Sequence, residues 1–481
     1  MSNLRFEDYK LSEDILRALK LLGFDNPTKV QSEVIPCGLK ERDMVVKSQT
    51  GSGKTAAFGI PLCEKLNIEV KEPQALILTP TRELCVQVKE DLTNIGRFKK
   101  IRCAAVFGKQ PVDVQVRELK QRVHIIAGTP GRTKDLIDRG YLNIEGIKYL
   151  IIDEADKMLN MGFIDQVEEI IKILPKNRVT MLFSATMPEE IESLCKNYMI
   201  NAVKIEIEPE NITTENIEQV LLEVKEIEKT EMLNRIIYTE NPDSCIIFCS
   251  TKENVDKVYG KLKDADINVE RIHGGLLQND RLKVMQSFKR GEFRFLVATD
   301  VAARGIDIES LSHIINYDVP VEKESYVHRI GRTGRAGQKG KAITFSSEVD
   351  KRYLKEIEDY LDYKINRGNI PSREEADIAR KIFKEKNKVQ PILKADKGSK
   401  LNKEFTKLYI GAGKKKKVRA GDIVGAITSI DGVNSDDIGI IDVQENHSYV
   451  DILGGKGKIV LEGLKAKTIK GKIVKVEKAA K

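Results

Sequence analysis

The chain has 481 residues, 41% of them hydrophobic and 32% charged, which is enough apolar material for several cores and too much for a disordered chain. Its net charge of +8 is uneven: residues 364–481 hold 27 Lys and Arg against 15 Asp and Glu, so the preceding residues are slightly acidic and the end is a basic appendage suited to a polyanion. No apolar run approaches the ~20 residues of a membrane span. The N-terminus shows no apolar signal core, and seven cysteines without CxxC spacing argue against a disulfide framework or a zinc site, so a cytoplasmic protein is expected.

In chain order, DMVVK (43–47), ALILTP (75–80), HIIAGTP (124–130), YLIIDEAD (149–156) and VTMLFSAT (179–186) are short apolar runs that end in small, polar or acidic clusters. Continuous apolar strands with helical stretches between them predict a parallel α/β sheet, with ligands beyond the carboxyl ends of the strands. EPENITTENIEQ (208–219) reads as a linker between domains. A second series follows with the same grammar: SCIIFCS (244–250), INVERIHG (267–274), FRFLVATD (293–300), HIINYDVP (313–320) and KAITFSS (341–347). A closing helix is expected over 348–363, and a basic linker, helix-containing or loose, over 364–400. In the last 80 residues, 407–413, 427–433, 438–444, 448–452 and 471–479 are strand-like, and 418–428 and 454–465 suit helices. This predicts a small βαββαβ domain over 401–481.

SQTGSGKT (48–55) follows a strand and opens an apolar helix. The backbone N–H groups of such a loop cradle phosphates; Lys54 would contact the β- and γ-phosphates and Thr55 would hold Mg²⁺. Asp153, at a strand end, would present a carboxylate to the same Mg²⁺, and Glu154 would act as general base on the attacking water. Residues 1–200 offer no obvious arginine finger for the transferring phosphoryl group. Arg329, Arg332 and Arg335, spaced by threes in YVHRIGRTGRAG (326–337), are the candidates.

With those residues in view, the chain resembles a DEAD-box RNA helicase of superfamily 2. The matches run in order: GFDNPTKVQ (23–31) with Phe6 upstream, SQTGSGKT, PTREL (80–84), TPGR (129–132), DEAD (153–156), SAT (184–186), IIFC (246–249), HGGLLQNDR (273–281), ATDVAARGID (298–307) and HRIGRTGR (328–335). The resemblance implies two RecA-like domains in tandem, over 1–207 and 220–363. By position it implies that Gln31 reads the adenine edge and Phe6 stacks on the base. Ser48, Gln49, Thr50, Gly51, Ser52, Gly53, Lys54 and Thr55 would surround the phosphates, and Asp307 would touch the ribose. Lys54, Asp153, Glu154, Arg332 and Arg335 would be the catalytic set, with Ser184, Thr186 and His328 coupling hydrolysis to strand separation. The implied RNA face is Thr81, Arg82, Gly108, Thr129, Gly131, Arg132, Thr251, Arg281, Thr299 and Gly305. Hydroxyls, glycine backbones and arginines suit sugar–phosphate contact without base reading. The sequence departs from the family pattern at Cys85, where Ala is frequent, and at Lys109, which replaces the second Gly of a Gly-Gly pair.

The last 80 residues resemble the RRM-like RNA-binding domain of the DbpA subgroup. Only Tyr409, His447 and Tyr449 are available for base stacking, so the run Lys414, Lys415, Lys416, Lys417 with Arg419 offers a second, electrostatic RNA site. The subgroup implies a hairpin of 23S ribosomal RNA, in a precursor of the large ribosomal subunit, as the target. The function expected is an ATP-dependent RNA helicase that remodels short duplexes in ribosome assembly, as a monomer. The rivals are a non-catalytic RNA clamp, against which Glu154 and the arginines argue, and a DNA translocase, against which Gln31, DEAD rather than DEAH, and the tail argue.

Overall fold

The computed structural model describes residues 4–49, 51–207, 216–300, 311–334, 339–389, 393 and 398–479. They divide into two units, Met1–Ile207 with Asp396–Lys481, and Glu208–Ala395.

In the first unit, strands β1 (Met44–Lys47), β2 (Ala75–Leu78), β3 (Cys103–Val106), β4 (Ile125–Gly128), β5 (Tyr149–Ile152), β6 (Val179–Ser184) and β7 (Val203–Glu206) form one sheet in the order β3-β4-β2-β5-β6-β1-β7. Every pairing is parallel. Helices cover both faces, giving two core clusters, and this is why the strands read as continuous apolar runs rather than alternating ones. The expected runs became strands. The strands not anticipated, β3 and β7, sit at the two edges; β3 is Cys-Ala-Ala-Val and lacks the β-branched run that marks its neighbours.

The second unit holds β8 (Ile217–Glu223), β9 (Cys245–Phe248), β10 (Val269–Ile272), β11 (Phe295–Ala298), β12 (His313–Asn316), β13 (Gly340–Ser346) and β14 (Asn366–Arg367), ordered β10-β11-β9-β12-β13-β8-β14. Counted within its own unit, each strand takes the place that its counterpart takes in the first. Two RecA-like sheets with one topology are therefore present. Two sequence boundaries need correction. Ile217–Gln219, expected in the linker, begin β8, where alternate residues Ile217, Gln219 and Leu221 are buried. Residues 364–388, expected as linker beyond a domain ending at 363, complete this unit. Strand β14 pairs with β8, and helix Arg373–Lys388 starts at a capping box on Ser372 and Glu375. That helix inserts Phe383, 2% exposed, against Tyr238 and Phe295 at 5.3 and 6.1 Å. A single buried aromatic among lysines is easily read as solvent-facing in sequence.

The C-terminal residues form an antiparallel sheet of β15 (Thr406–Ile410), β16 (Ile438–Val443), β17 (Ser448–Ile452) and β18 (Val476–Lys478) in the order β16-β17-β15-β18, with helices Ala420–Thr428 and Gly457–Ala466. This is the expected βαββαβ arrangement. The strand expected over 427–433 is absent. Ile427 and Thr428 finish the first helix, and the chain turns through Gly432 at φ +77° while Ile430 and Val433 fill the core.

Removal of the Phe383 ring should destabilise the second unit. Phe383→Ala is expected to cost about 3–5 kcal/mol in urea unfolding, whereas Lys384→Ala, on the exposed side of the same helix, should be near neutral.

Candidate functional site: a nucleotide pocket and two nucleic-acid faces

The order β5-β6-β1 places three strand ends side by side: Asp153 after β5, Ser184 at the end of β6 and Ser48 after β1. Lys47 pairs with Ser184 in register, and Ser48 N donates to Ser184 O at 2.9 Å. A loop at residue 48 thereby meets two strand ends more than 100 residues further along the chain.

The loop after β1 turns through Gly51 at φ +83° and Gly53 at φ +92°. A Cβ on Gly53 would lie 2.6 Å from Gln31 Nε2, so glycine is required there for close approach as well as for its dihedral. Lys54 and Thr55 open the helix Lys54–Lys65; Lys54 is buried, and its Nζ donates to Ser48 O at 3.2 Å. Gln49 and Ser52 are partly exposed, and Ser52 Oγ donates to Gln49 O at 3.0 Å. Gln31 ties this loop to the helix Lys29–Leu39. Its Oε1 accepts from Thr28 N at 2.9 Å, its Nε2 donates to Gly53 O at 3.3 Å, and Thr28 Oγ1 donates to Ser52 O at 2.9 Å. The amide assigned to adenine thus also caps a helix and braces the loop. Phe6 is 2% exposed, with Phe24 edge-on at 6.1 Å and Tyr9 at 6.4 Å. It packs into the core beneath the first helices.

Asp153 is 3% exposed and its Oδ1 has no hydrogen-bond partner. Burial pushes its carboxyl up to about 6, against the opposing pull of Lys54 and with a further push from Glu154. Glu154 sits in the left-handed region at φ 56°, ψ 50°, a strained conformation for a glutamate, and caps the helix Ala155–Asn160. Lys157 Nζ donates to its Oε1 at 2.6 Å, both side chains being buried. Ser184 Oγ accepts from Asp156 N at 3.2 Å and donates to Thr186 O at 2.6 Å, while Thr186 Oγ1 reaches Asp156 Oδ2 at 3.5 Å. Ser184 and Thr186 are therefore wired directly to the acidic loop.

On the same carboxyl edge, Thr81 caps the helix Arg82–Ile95, accepting from Leu84 N at 3.3 Å. Arg82 approaches Gly108, where a Cβ would stand 3.5 Å from its guanidinium. Thr129 caps the helix Pro130–Asp138, Gly131 is exposed, and Arg132 Nη1 donates to Gln110 O at 3.0 Å. Two helix N-termini with hydroxyls, a bare glycine and two arginines make a surface for phosphates. The second unit repeats the device. Thr251 caps the helix Lys252–Asp264 at φ −124°, ψ 156°, against −125° and 155° at Thr81. Arg281 lies in the helix Gln278–Arg290, and Thr299 follows β11. His328 and Arg332 lie at the end of the helix Lys323–Ile330 and just after it. Arg329 belongs elsewhere: it is buried, with its Nε and Nη2 on the two Asp300 oxygens at 2.6 Å and Nη1 on Asn316 Oδ1 and Asp318 O. Its fork is consumed by structure, so it leaves the run of candidate phosphoryl contacts. Thr50, Gly305, Asp307 and Arg335 lie outside the described residues.

In the C-terminal sheet, Tyr409, His447 and Tyr449 form one cluster, with ring centroids 5.1–5.8 Å apart and Tyr409 stacked on His447. Lys414–Lys416 make an exposed 3₁₀ turn, Lys417 follows at φ 58°, and Arg419 caps the next helix. The two RNA sites weighed from the sequence are thus a partly exposed aromatic platform and a lysine turn in one domain.

Comparison with known proteins agrees with this geometry. Residues 28–194 match the DEAD/DEAH box helicase family, 228–337 the helicase conserved C-terminal domain and 407–478 the DbpA RNA binding domain. The chain is 58% identical over 476 residues to the ATP-dependent RNA helicase DbpA of Bacillus subtilis, covering 99% of each. The chain belongs to the DEAD-box ATP-dependent RNA helicases, DbpA type. It is also 44% identical to the helicase CshA of Bacillus licheniformis over 78% of this chain and 77% of that one. S. cerevisiae Dbp5 bound to RNA and ADP BeF3 matches with a TM-score of 0.70 at 33% identity, over 79% of this helicase and 99% of that chain.

Sequence reasoning missed several residues of this helicase. Lys157 stands three residues after Glu154 on a helix, a spacing visible in EADK. Asp300, Asn316 and Asp318 stand at or just beyond the ends of β11 and β12, where the strand-end rule could have found them. Among the described residues no three His, Cys, Asp or Glu cluster to hold a metal. The orphaned, buried Asp153 oxygen nonetheless fits a hard cation that arrives with phosphate oxygens.

The Asp153 carboxyl has a folded pKa near 6 against an ordinary 3.8. Its burial cost is therefore absent below about pH 4 and fully present above about pH 6. Asp153→Asn should raise the stability of the nucleotide-free protein at pH 8 by up to about 3 kcal/mol, and by about half as much at pH 5. Urea unfolding at the two pH values measures this.

Proposed function

We propose that this helicase unwinds or remodels short RNA duplexes, and that its C-terminal domain targets it to 23S ribosomal RNA in assembling large subunits. The observation that carries the reading is the DbpA RNA binding domain at 407–478, with its aromatic cluster and lysine turn, on a chain whose helicase sheets are both complete. The B. subtilis relative along 99% of the chain supports it. The helicase works as a cytoplasmic monomer, with domains divided near 207, 217, 389 and 401.

ATP binds at the loop 48–55, with Gln31 at the adenine. Asp153 and Thr55 would hold Mg²⁺, which supplies charge neutralisation at the phosphates when bound. Glu154, steered by Lys157, takes the proton of the attacking water, and Arg332 and Arg335 act as the arginine fingers that residues 1–200 lack. Ser184 and Thr186, bonded to the acidic loop, and His328 relay the state of the phosphates. Thr81, Arg82, Gly108, Thr129, Gly131, Arg132, Thr251, Arg281, Thr299 and Gly305 hold the RNA backbone.

Glu154→Gln is expected to lower RNA-stimulated turnover about 10²–10⁴-fold while ATP and RNA still bind. Undiminished turnover would move the base elsewhere. Crosslinking in cells followed by sequencing of the bound RNA tests the target: reads should concentrate in 23S rRNA and spread over unrelated RNAs once residues 398–481 are removed. Equal enrichment without the C-terminal domain would refute targeting by it. Changing Lys414 to Lys417 to Ala should reduce the salt slope of RNA binding by up to about 3. Tyr409→Ala should cost ~1–3 kcal/mol if bases stack on that ring.

A further inference from the structure

Along β15 and β17, Leu408, Val450 and Ile452 face the domain's own helices and core. Lys407, Tyr409, Tyr449 and Asp451 alternate with them on the other face, the one on which an RRM stacks bases. An aspartate there repels phosphate, and this one is 4% exposed. Its Oδ2 accepts from Arg97 Nη2 at 3.1 Å, and Arg97 belongs to the first helicase domain, just after the helix Arg82–Ile95. The same guanidinium lies 4.4 Å over the Phe405 ring. Phe405 meets Phe98 at 5.1 Å, and Arg17, 4.3 Å over Phe98, pairs with Glu404 at 2.8 Å. Ala18, Phe98, Leu401, Phe405 and Leu453 form an apolar cluster separate from either domain's core. Further along, Gln121 Nε2 donates to Val443 O at 3.1 Å, and Arg102 stands 3.6 Å from Asp442 on the edge strand β16.

The charges are complementary: two acids of the sheet, Asp442 and Asp451, are taken by arginines, while Glu477 on β18 pairs with Lys475 Nζ at 2.7 Å. The aromatic cluster stays partly exposed. A cleft of about 550 Å³ remains between the helix Val112–Leu119 and the turn 444–447, with Arg117, Lys414 and His447 among its walls. That helix begins three residues after Lys109, beside the Arg82–Gly108 phosphate surface.

We propose that the Asp451 side of the C-terminal sheet is a docking surface for the first helicase domain, which seats the C-terminal RNA site beside the helix Val112–Leu119 and presents bound RNA to the helicase face from a fixed position. The seat stands on the geometry alone; its consequence for RNA rests on the targeting reading above. The chain contains no tryptophan, so Phe405→Trp introduces a single indole into the seat of the full-length protein. Its emission should be blue-shifted and protected from acrylamide. Adding Arg97→Asp should shift it to the red and expose it, and adding Asp451→Arg to that pair should restore it. In the otherwise unaltered chain, Arg97→Asp should raise the concentration of a 23S hairpin RNA needed for half-maximal ATPase by about tenfold or more. It should leave kcat, and the stimulation by generic single-stranded RNA, unchanged, and Asp451→Arg should reverse the loss. The milder Arg97→Lys, which keeps the charge and loses the fork over Phe405, should move both readouts the same way and less far. An indole as quenchable as free tryptophan, or indifferent to Arg97→Asp, would overturn the seat. A seat that opens with no change in hairpin dependence would overturn its role in presentation. A wild-type protein without hairpin preference would instead sink the targeting reading, leaving the emission results to decide the seat.

Discussion

A carboxylate held out of water at the end of a parallel strand organises the first helicase domain. Asp153 lies where three strand ends meet, and burial pushes its carboxyl up to about 6. Lys54, at the start of the helix that follows the phosphate loop, opposes that push most, and Lys157 and a backbone hydrogen bond add to it. Glu154 is held left-handed beside it and Ser184 fastens the next turn to the neighbouring strand. The acidic loop thus sets a left-handed glutamate beside a buried carboxylate oxygen that has no hydrogen-bond partner.

The second helicase sheet repeats the first strand for strand, yet it spends its strand ends differently. Where the first unit leaves a carboxylate oxygen without a partner, the second gives Asp300 to Arg329 in a two-point ion pair, closed further by Asn316 and Asp318. Of three arginines spaced alike in sequence, Arg329 is a strut rather than a phosphate contact. The shared threonine caps, Thr81 and Thr251, show what the duplication kept: a helix N-terminus aimed outward from the same place in each sheet.

The C-terminal domain divides one sheet surface between two tasks by charge. Tyr409, His447 and Tyr449 keep a partly exposed aromatic cluster, while Asp451 and Asp442 face Arg97 and Arg102. Burying the Arg97–Asp451 pair is costly, and it leaves Arg97 Nε and Asp451 Oδ1 without partners. Such a pair is better suited to fixing one docking geometry than to adding stability.

The sequence alone determined the helicase family, the α/β class and most strands, because most of the motifs are contiguous runs tied to a strand end, and short-range patterning records such runs. It also separated the basic C-terminal domain by composition. Tertiary structure decided what depends on partners distant in the chain. It enrolled 366–388 in the second domain through one buried ring, and it ended the strand expected at 427–433 in favour of a helix and turn. It spent Arg329 on Asp300, turned Gln31 into a brace for the phosphate loop, buried Phe6, and paired Arg97 with Asp451 across 354 positions. Burial and pairing are properties of neighbours in space, and a single sequence names residues without naming their neighbours.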